Sequence, residues 1–268
     1  MKKTAAVLIA ISFIFGLFAI SSSAETTADI YVTIANGDLK IAMEKVSVSD
    51  TDGDGIISVN DALYAAHEKC YSGGAAAGYS AVQSDWGLSL AKLWGIENGG
   101  SYGYMINDSM AMSLSDELKD GDHVYAYVFT DTAGWSDSYS FFDIKTVDIL
   151  EGKTVTLTLS ASGYDENWAP VVLPLAGAVI TLNGEKTSYV TDANGKVDVT
   201  LETRGDYIIS AVSDSMTLVP PVAIAVARPA LLSGNPSTDD TDTVVFAAMA
   251  LIALAGAAML IKTRRYEK

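Results

Sequence analysis

Alternating apolar and polar positions recur along the chain and predict a protein built mainly from β-strands. Residues 29–48 alternate on both sides of an Asn-Gly-Asp turn, which predicts two short strands joined as a hairpin. Residues 123–128 alternate directly after an Asp-Gly-Asp turn and predict another strand. Residues 59–69 combine good helix formers with apolar residues at helical spacing, so a helix is expected there. The Gly- and Ala-rich stretch 72–78 is predicted to add no element to the core.

Residues 174–212 form a second run of short alternating segments, separated by three tight turns that contain glycine. Strands at such close spacing are typical of a β-sandwich. We therefore predict a mainly β chain with two folded domains, at residues 25–163 and 168–227. The first is an α+β domain with one helix, and the second is an Ig-like or transthyretin-like β-sandwich.

The two ends of the chain carry apolar runs that predict export and anchoring. Two lysines, an apolar run and small residues up to Ala24 form the pattern of a secretory signal peptide over residues 1–24. The run at 243–261 is long enough for a transmembrane helix, and the basic tail 262–268 would stay in the cytoplasm. Residues 228–242 are small and polar and predict a linker. A retained N-terminal anchor is the alternative to cleavage.

The formal net charge of −16 argues against nucleic acid as a partner, because the phosphate backbone is itself negative. Cys70 is the only cysteine of the chain, so no internal disulfide can form. We expect this residue to serve as a small buried apolar side chain. Stability must then come from the core and from a bound metal.

An acidic, glycine-rich segment at residues 50–61, with the sequence DTDGDGIISVND, carries the clearest chemistry. Calcium prefers six to eight oxygen ligands, and alternate residues of a tight loop can direct their oxygens at one centre. Six residues have the spacing of such ligands: Asp50, Asp52, Asp54, Ile56 through its carbonyl, Ser58 directly or through water, and Asp61. Gly55 would allow the sharp turn, and Ile57 is predicted to enter the core. The sequence predicts a calcium loop, and the alternative is an acidic turn that binds nothing.

This spacing resembles the calcium loop of EF-hand proteins, with Gly55 at the sixth position. Asp61 stands where EF-hands prefer glutamate, and the shorter side chain resembles the dockerin type I loop. Helical sequence follows the loop, whereas strand-like sequence precedes it, as in half an EF-hand. One alternative function is therefore a dockerin-like assembly module.

Three segments of the first domain follow one another in the order DALYAAH at 61–67, SYGYMIN at 101–107 and LKDGDHVYAYVF at 118–129. These segments and their order resemble the bacterial transcobalamin C-terminal-like domain. Animal relatives of that family bind cobalamin. The resemblance thus implies a second alternative function, the extracellular capture of cobalamin or a similar tetrapyrrole.

Aromatic residues are dense in the first domain, and those on an exposed strand face could stack against a glycan or a planar ligand. The candidates for such a ligand surface are Trp86, Trp94, Tyr102, Tyr104 and Trp135. The alternative is that the aromatic residues fill the core of a small β-rich domain. His67, on the predicted helix, is expected to be structural because calcium prefers oxygen ligands.

The second domain resembles the Cna-B-like and carboxypeptidase-regulatory-like domains of bacterial surface proteins through the segments AGAVITLNG, TDANGKV and GDYIISA. The linker resembles a sortase sorting signal, because a motif of the Asn-Pro-x-Thr kind precedes the apolar run and the basic tail. The motif consists of Asn235, Pro236, Ser237 and Thr238. The resemblance implies cleavage after Thr238 by a sortase and transfer to the cell wall. A plain C-terminal membrane anchor is the alternative.

These features together predict an exported bacterial surface protein, held on the extracellular face by the cell wall or the plasma membrane. We expect a non-catalytic, calcium-stabilised binding or adhesion module whose partner is a glycan, a protein or a small ligand. The sequence shows no nucleophile motif and no zinc-ligand spacing, so an enzyme is not predicted.

Overall fold

The computed structural model describes residues 27–85, 87–167 and 169–229 and confirms a mainly β protein. It contains 54% strand and 8% helix, arranged in several sheets. Neither helix in these ranges has the length and the apolar composition that a membrane span requires. The predicted signal helix, the C-terminal transmembrane helix and the sorting motif at 235–238 lie outside the described residues.

Two helices and seventeen strands make up the described chain. The first part contains β1 (Thr27–Asn36), β2 (Asp38–Ser49), α1 (Val59–Cys70), α2 (Gly74–Gly78), β3 (Ser80–Ser84), β4 (Gly87–Lys92), β5 (Tyr102–Ile106), β6 (Ser109–Met110) and β7 (His123–Val128). The second part contains β8 (Ser138–Phe142), β9 (Thr146–Leu150), β10 (Lys153–Tyr164), β11 (Pro170–Pro174), β12 (Val179–Leu182), β13 (Glu185–Val190), β14 (Lys196–Leu201), β15 (Gly205–Val212), β16 (Leu218–Val219) and β17 (Ala223–Arg228).

The first sheet has the strand order β2, β1, β7, β5, β6. The predicted hairpin is confirmed, because β1 pairs antiparallel with β2 around Gly37, whose φ is 71°. β7 spans the residues predicted for it and runs parallel to β1. All six residues of β7 are buried, since both faces of the sheet are covered at its centre.

The helix α1 packs against one face of the first sheet and confirms the helix predicted for residues 59–69. Its Ala62, Leu63 and Ala66 are fully buried in a cluster that also contains side chains of β1, β2 and β7. The expectation that residues 72–78 add nothing to the core is wrong, because α2 inserts Ala75 into this cluster at 1% exposure. Small side chains are needed there: a Cβ on Gly78 would lie 2.5 Å from the ring of Tyr71.

Two further sheets form the second part of the chain. One has the order β11, β10, β8, β16, with β14 also paired to β10, and the other has the order β13, β12, β15, β17, β9. Their inner faces share one core, which joins Phe142, Leu157 and Leu159 to Ile180 and Ile209. Residues 138–163, which lie inside the range predicted for the first domain, thus pack in β8 to β10 with strands that follow residue 170. The division at 163–168 stays a prediction, and contacts unite residues 27–227 in one compact unit.

A third apolar cluster, rich in aromatic residues, joins the first sheet to the second part of the chain. Tyr125 and Tyr127 of β7 pack against Tyr139 of β8, with ring centroids 5.4 and 6.0 Å away. The Tyr125 hydroxyl donates a hydrogen bond to the Pro220 carbonyl. A Cβ on Gly103 would lie 2.1 Å from Tyr127 Cζ, so only glycine fits beneath this ring. Many of the aromatic residues therefore fill a core.

Candidate metal centre and ligand surface

Three carboxylates of the acidic loop converge between the end of β2 and the start of α1. One oxygen each from Asp50, Asp52 and Asp54 lies within 4.8 Å of the other two. Carboxylate oxygens are the preferred ligands of hard divalent cations. The cluster could therefore hold a metal ion.

Backbone amides of the loop hold the first carboxylate in place. Asp50 accepts hydrogen bonds from the amides of Gly53 at 2.6 Å and Gly55 at 2.8 Å. Both glycines have left-handed backbones, with φ of 77° and 93°, which side chains would disfavour. Asp54 accepts a hydrogen bond from the Ile56 amide at 3.0 Å. The local sequence thus bends the chain so that alternate carboxylates meet.

Asp50 and Asp52 lie in different electrostatic environments, which shift the pKa values of their carboxyls in opposite directions. The amides of Gly55 and Gly53 donate to Asp50 and keep the pKa of this carboxyl below its ordinary value. Partial desolvation, followed by the negative charges of Asp61 and Asp54, raises the pKa of the Asp52 carboxyl. Repulsion between like charges is therefore present around Asp52, and a bound cation would relieve it.

Asp61 lies outside the group of three and serves the start of the helix. It is fully buried, and its oxygens accept hydrogen bonds from the Thr51 amide at 2.9 Å, the Thr51 hydroxyl, the Ser58 amide at 3.0 Å and the Ser58 hydroxyl at 2.6 Å. Ser58 is the N-cap of α1 and completes a capping box with Asp61. The carboxylate at the last loop position therefore ties the loop to the helix.

Ile57 anchors the second half of the loop. Ile56 precedes the buried Ile57, which is 6% exposed and belongs to the first core, as its position in the loop predicted. The Ile57 carbonyl accepts a hydrogen bond from the Leu118 amide at 2.8 Å. The acidic loop is thus joined to the segment before β7, which the sequence did not indicate.

Asn60 connects the carboxylate cluster to the rest of the first domain and was not identified from the sequence. Its side-chain amide donates to Asp52 at 3.2 Å, and its carbonyl oxygen accepts from the Tyr79 hydroxyl at 2.7 Å. Its backbone amide donates to the Leu114 carbonyl at 2.8 Å. Only its place in the loop, next to Asp61, could have drawn attention to it.

The four candidate aromatic residues that the structure describes differ in exposure and in contacts. Trp94 is half-buried, with its ring 5.3 Å from His67 and 5.1 Å from Tyr71. Tyr102 donates from its hydroxyl to the carbonyls of Ala91 and Ile96 and so holds a loop in place. Tyr104, like Tyr102, packs against the first core. Trp135 is 63% exposed, and Trp86 lies outside the described residues.

His67 has a structural place inside the first domain. It is fully buried, with Nδ1 2.6 Å from the Leu63 carbonyl oxygen, and Nε2 accepts a hydrogen bond from the Trp94 amide at 3.1 Å. Burial lowers the pKa of this imidazole. Both nitrogens are therefore satisfied in the neutral form of the ring.

An open cleft of about 870 Å³ lies between the tip of the β1–β2 hairpin and the outer face of β12 and β15. Its lining is mostly aliphatic and hydroxyl-bearing, with Leu39, Thr181, Ser210 and Met216 among its residues. Asp38 is the charged residue of this lining. The acidic loop follows the other end of β2, and none of its residues lines the cleft.

Comparison with protein-family models and with curated protein sequences gives no match to this chain. The fold and the site by themselves define a mainly β protein with a glycine-rich acidic loop at the start of its principal helix. That loop has the donor set of a site for a hard cation.

Proposed function

We propose that this protein is a non-catalytic binding or adhesion module of the bacterial cell surface, stabilised by calcium. The observation that carries the proposal is the convergence of Asp50, Asp52 and Asp54 in a loop that is hydrogen-bonded into the fold. A signal peptide at 1–24 and an anchor at 243–261 would place the module on the extracellular face.

Calcium is the ion that these residues suit best. The three side chains offer only oxygen, and neither of the chain's two histidines belongs to the group. The largely exposed loop leaves room for carbonyl and water ligands, which calcium accepts in a flexible geometry. Ile56 through its carbonyl would contribute to this shell, and Ser58 and Asp61 would support it from the helix side.

The ion would act by bracing the junction between β2 and α1. Without a cation, repulsion among the carboxylates opposes the closed loop, and the loop carries Ile57 into the core and Asn60 toward Tyr79. Binding to the native state alone adds stability by mass action. The proposed role of calcium is thus to keep the displayed domain ordered outside the cell.

Anchoring would follow one of two routes that share the same C-terminal segment. A sortase would cut after Thr238 and join the protein to the cell wall, or the helix at 243–261 would retain it in the membrane. In either case the folded part faces a glycan, a protein or a small ligand.

Calcium is expected to raise the stability of the protein, and Asp52→Asn is expected to abolish that increase. A hundredfold excess over Kd stabilises the native state by about 3 kcal/mol, which corresponds to roughly 5 to 10 °C in Tm for a protein of this size. Thermal unfolding in millimolar calcium and in chelator measures the difference. In chelator, Asp52→Asn should be at least as stable as the wild type, because one of the repelling charges is gone.

Asp192→Asn is the matched control for a general effect of charge. Asp192 also accepts amide hydrogen bonds in an exposed glycine turn, from Asn194 at 2.8 Å and Lys196 at 2.9 Å, but it belongs to no carboxylate cluster of the described chain. This variant should keep the full increase with calcium. Identical melting curves of the wild type with calcium and with chelator would contradict the proposal.

A further inference from the structure

The side chain of Trp135 is exposed to solvent, and its backbone has a conformation that is unfavourable for a bulky residue. The residue has a φ of 49°, a left-handed conformation that is uncommon for a bulky side chain, and it is 63% exposed. Backbone conformations of this kind persist only where the surroundings enforce them, and they concentrate at ligand-binding sites. The exposed indole therefore calls for a functional explanation.

Two aspartates enforce the conformation of residues 130–137, which we term the tryptophan loop. Asp137, buried at the end of the loop, accepts hydrogen bonds from the Thr130 amide at 3.1 Å and the Asp131 amide at 3.0 Å. Asp131 accepts from the Gly134 amide at 2.8 Å and the Ser136 hydroxyl at 2.7 Å. The loop is thus ordered before any ligand arrives, which lowers the entropic cost of binding.

The surroundings of the indole leave space and offer neutral hydrogen-bonding groups. Trp135 Nε1 donates to Ser101 Oγ at 3.3 Å, and this serine follows a two-glycine tip. Gly99 and Gly100 both have left-handed backbones, and a Cβ on either would meet nothing within 4 Å. Thr132 is exposed on the same loop. A flat apolar ring therefore lies beside open space and hydroxyl groups.

The charges near this surface are already satisfied. Asp131 is held by amides and a hydroxyl, and these donors keep the pKa of its carboxyl below the ordinary value. Glu97, which precedes the glycine tip, is paired with Lys92 at 2.9 Å. A ligand for this site needs an apolar face that stacks on the indole and hydroxyl groups that can bond to Ser101 and Thr132. The net charge of −16 disfavours a polyanion.

We infer that the tryptophan loop is the carbohydrate-contacting element of the protein, and that it binds a neutral oligosaccharide whose sugar ring stacks on Trp135. A pyranose with equatorial hydroxyls has a flat C–H face that can stack on an indole. Its hydroxyls then point outward from the edge of the sugar ring, toward groups such as Ser101 and Thr132. The inference rests on the proposed binding function and names its ligand class. Among the candidates that the structure describes, it selects Trp135, together with Ser101, because Trp94, Tyr102 and Tyr104 pack against the protein.

Binding is tested by calorimetric titration of the full folded protein with cellotetraose and chitotetraose in millimolar calcium. At least one of the two sugars is expected to bind. Trp135→Ala should lower the affinity about tenfold or more, because a stacking partner is lost, and Trp135→Phe should retain part of it. Tyr164→Ala, which removes another exposed aromatic side chain at 56% exposure, is the matched control and should bind like the wild type.

The same preparations are melted with calcium and with chelator, so that the two proposals are separated. Trp135→Ala should keep the wild-type calcium increase, because the side chain is exposed and no residue of the tryptophan loop belongs to the carboxylate cluster. No binding of either sugar at millimolar concentrations, or equal binding by Trp135→Ala, would overturn the carbohydrate assignment. A missing calcium increase in the wild type would overturn the calcium proposal instead.

Discussion

Gly195→Ala is expected to destabilise the protein by about 3 kcal/mol or more, the cost of a left-handed alanine plus an overpacked contact. Gly195 has a φ of 74°, and a Cβ there would lie 2.3 Å from the Leu159 carbonyl oxygen and 3.1 Å from the Leu175 amide nitrogen. These backbone atoms cannot move freely. The Leu159 amide donates to the Gly195 carbonyl at 2.8 Å, and the Leu175 amide donates to the Leu159 carbonyl at 3.0 Å.

Gly184→Ala separates the cost of the contact from the cost of the backbone conformation. Gly184 also lies in a turn between strands, with a φ of 85°, but a Cβ there would meet nothing within 4 Å. This variant should lose only about 1 kcal/mol. Denaturant unfolding of both variants measures the difference, and equal losses would show that β10 does not approach Gly195 as closely as described.

The elements that are specified by residues close together in the sequence were predictable. The helix α1 follows from residues 59–69 because its apolar side chains repeat at helical spacing on one face. Likewise β7 follows from alternation after a tight turn, and the β1–β2 hairpin from Gly37. These signals are local, so no knowledge of distant contacts was required.

Pairings between distant segments were not predictable in the same way. β10 pairs with β8, β11 and β14, and alternation along β10 does not specify these partners. The short helix α2 has almost no side chains with which to form a pattern, yet it fills a gap beside Tyr71 that only small residues enter. Close packing between distant elements decides such features, and a single sequence does not display it.

The candidate site also combines features that nearby residues specify with features that depend on distant contacts. The spacing of Asp50, Asp52 and Asp54 is local, and the structure brings these three carboxylates together. The contribution of Asn60 depends on Tyr79, nineteen residues away, and could not be inferred. The aromatic residues show the same limit, since alternation marks two faces of a strand without showing which face is covered.

Asp61→Ala is expected to destabilise the protein by about 3 kcal/mol even in chelator, because it removes a buried acceptor of several hydrogen bonds. Asp61 is fully buried, and its loss leaves the amides and hydroxyls of Thr51 and Ser58 without their acceptor. The capping box of α1 is lost at the same time. Denaturant unfolding in chelator measures this cost without a contribution from metal.

Asp54→Ala is the control within the same loop, because Asp54 is exposed and accepts one amide hydrogen bond, from Ile56. It should lose much less stability than Asp61→Ala in chelator, and it should also lose the increase that calcium gives to the wild type. Such a result would separate two roles within one motif, since Asp54 would serve the ion and Asp61 would cap the helix. Equal losses in chelator would instead show that Asp61 contributes no more to the metal-free fold than an exposed loop residue does.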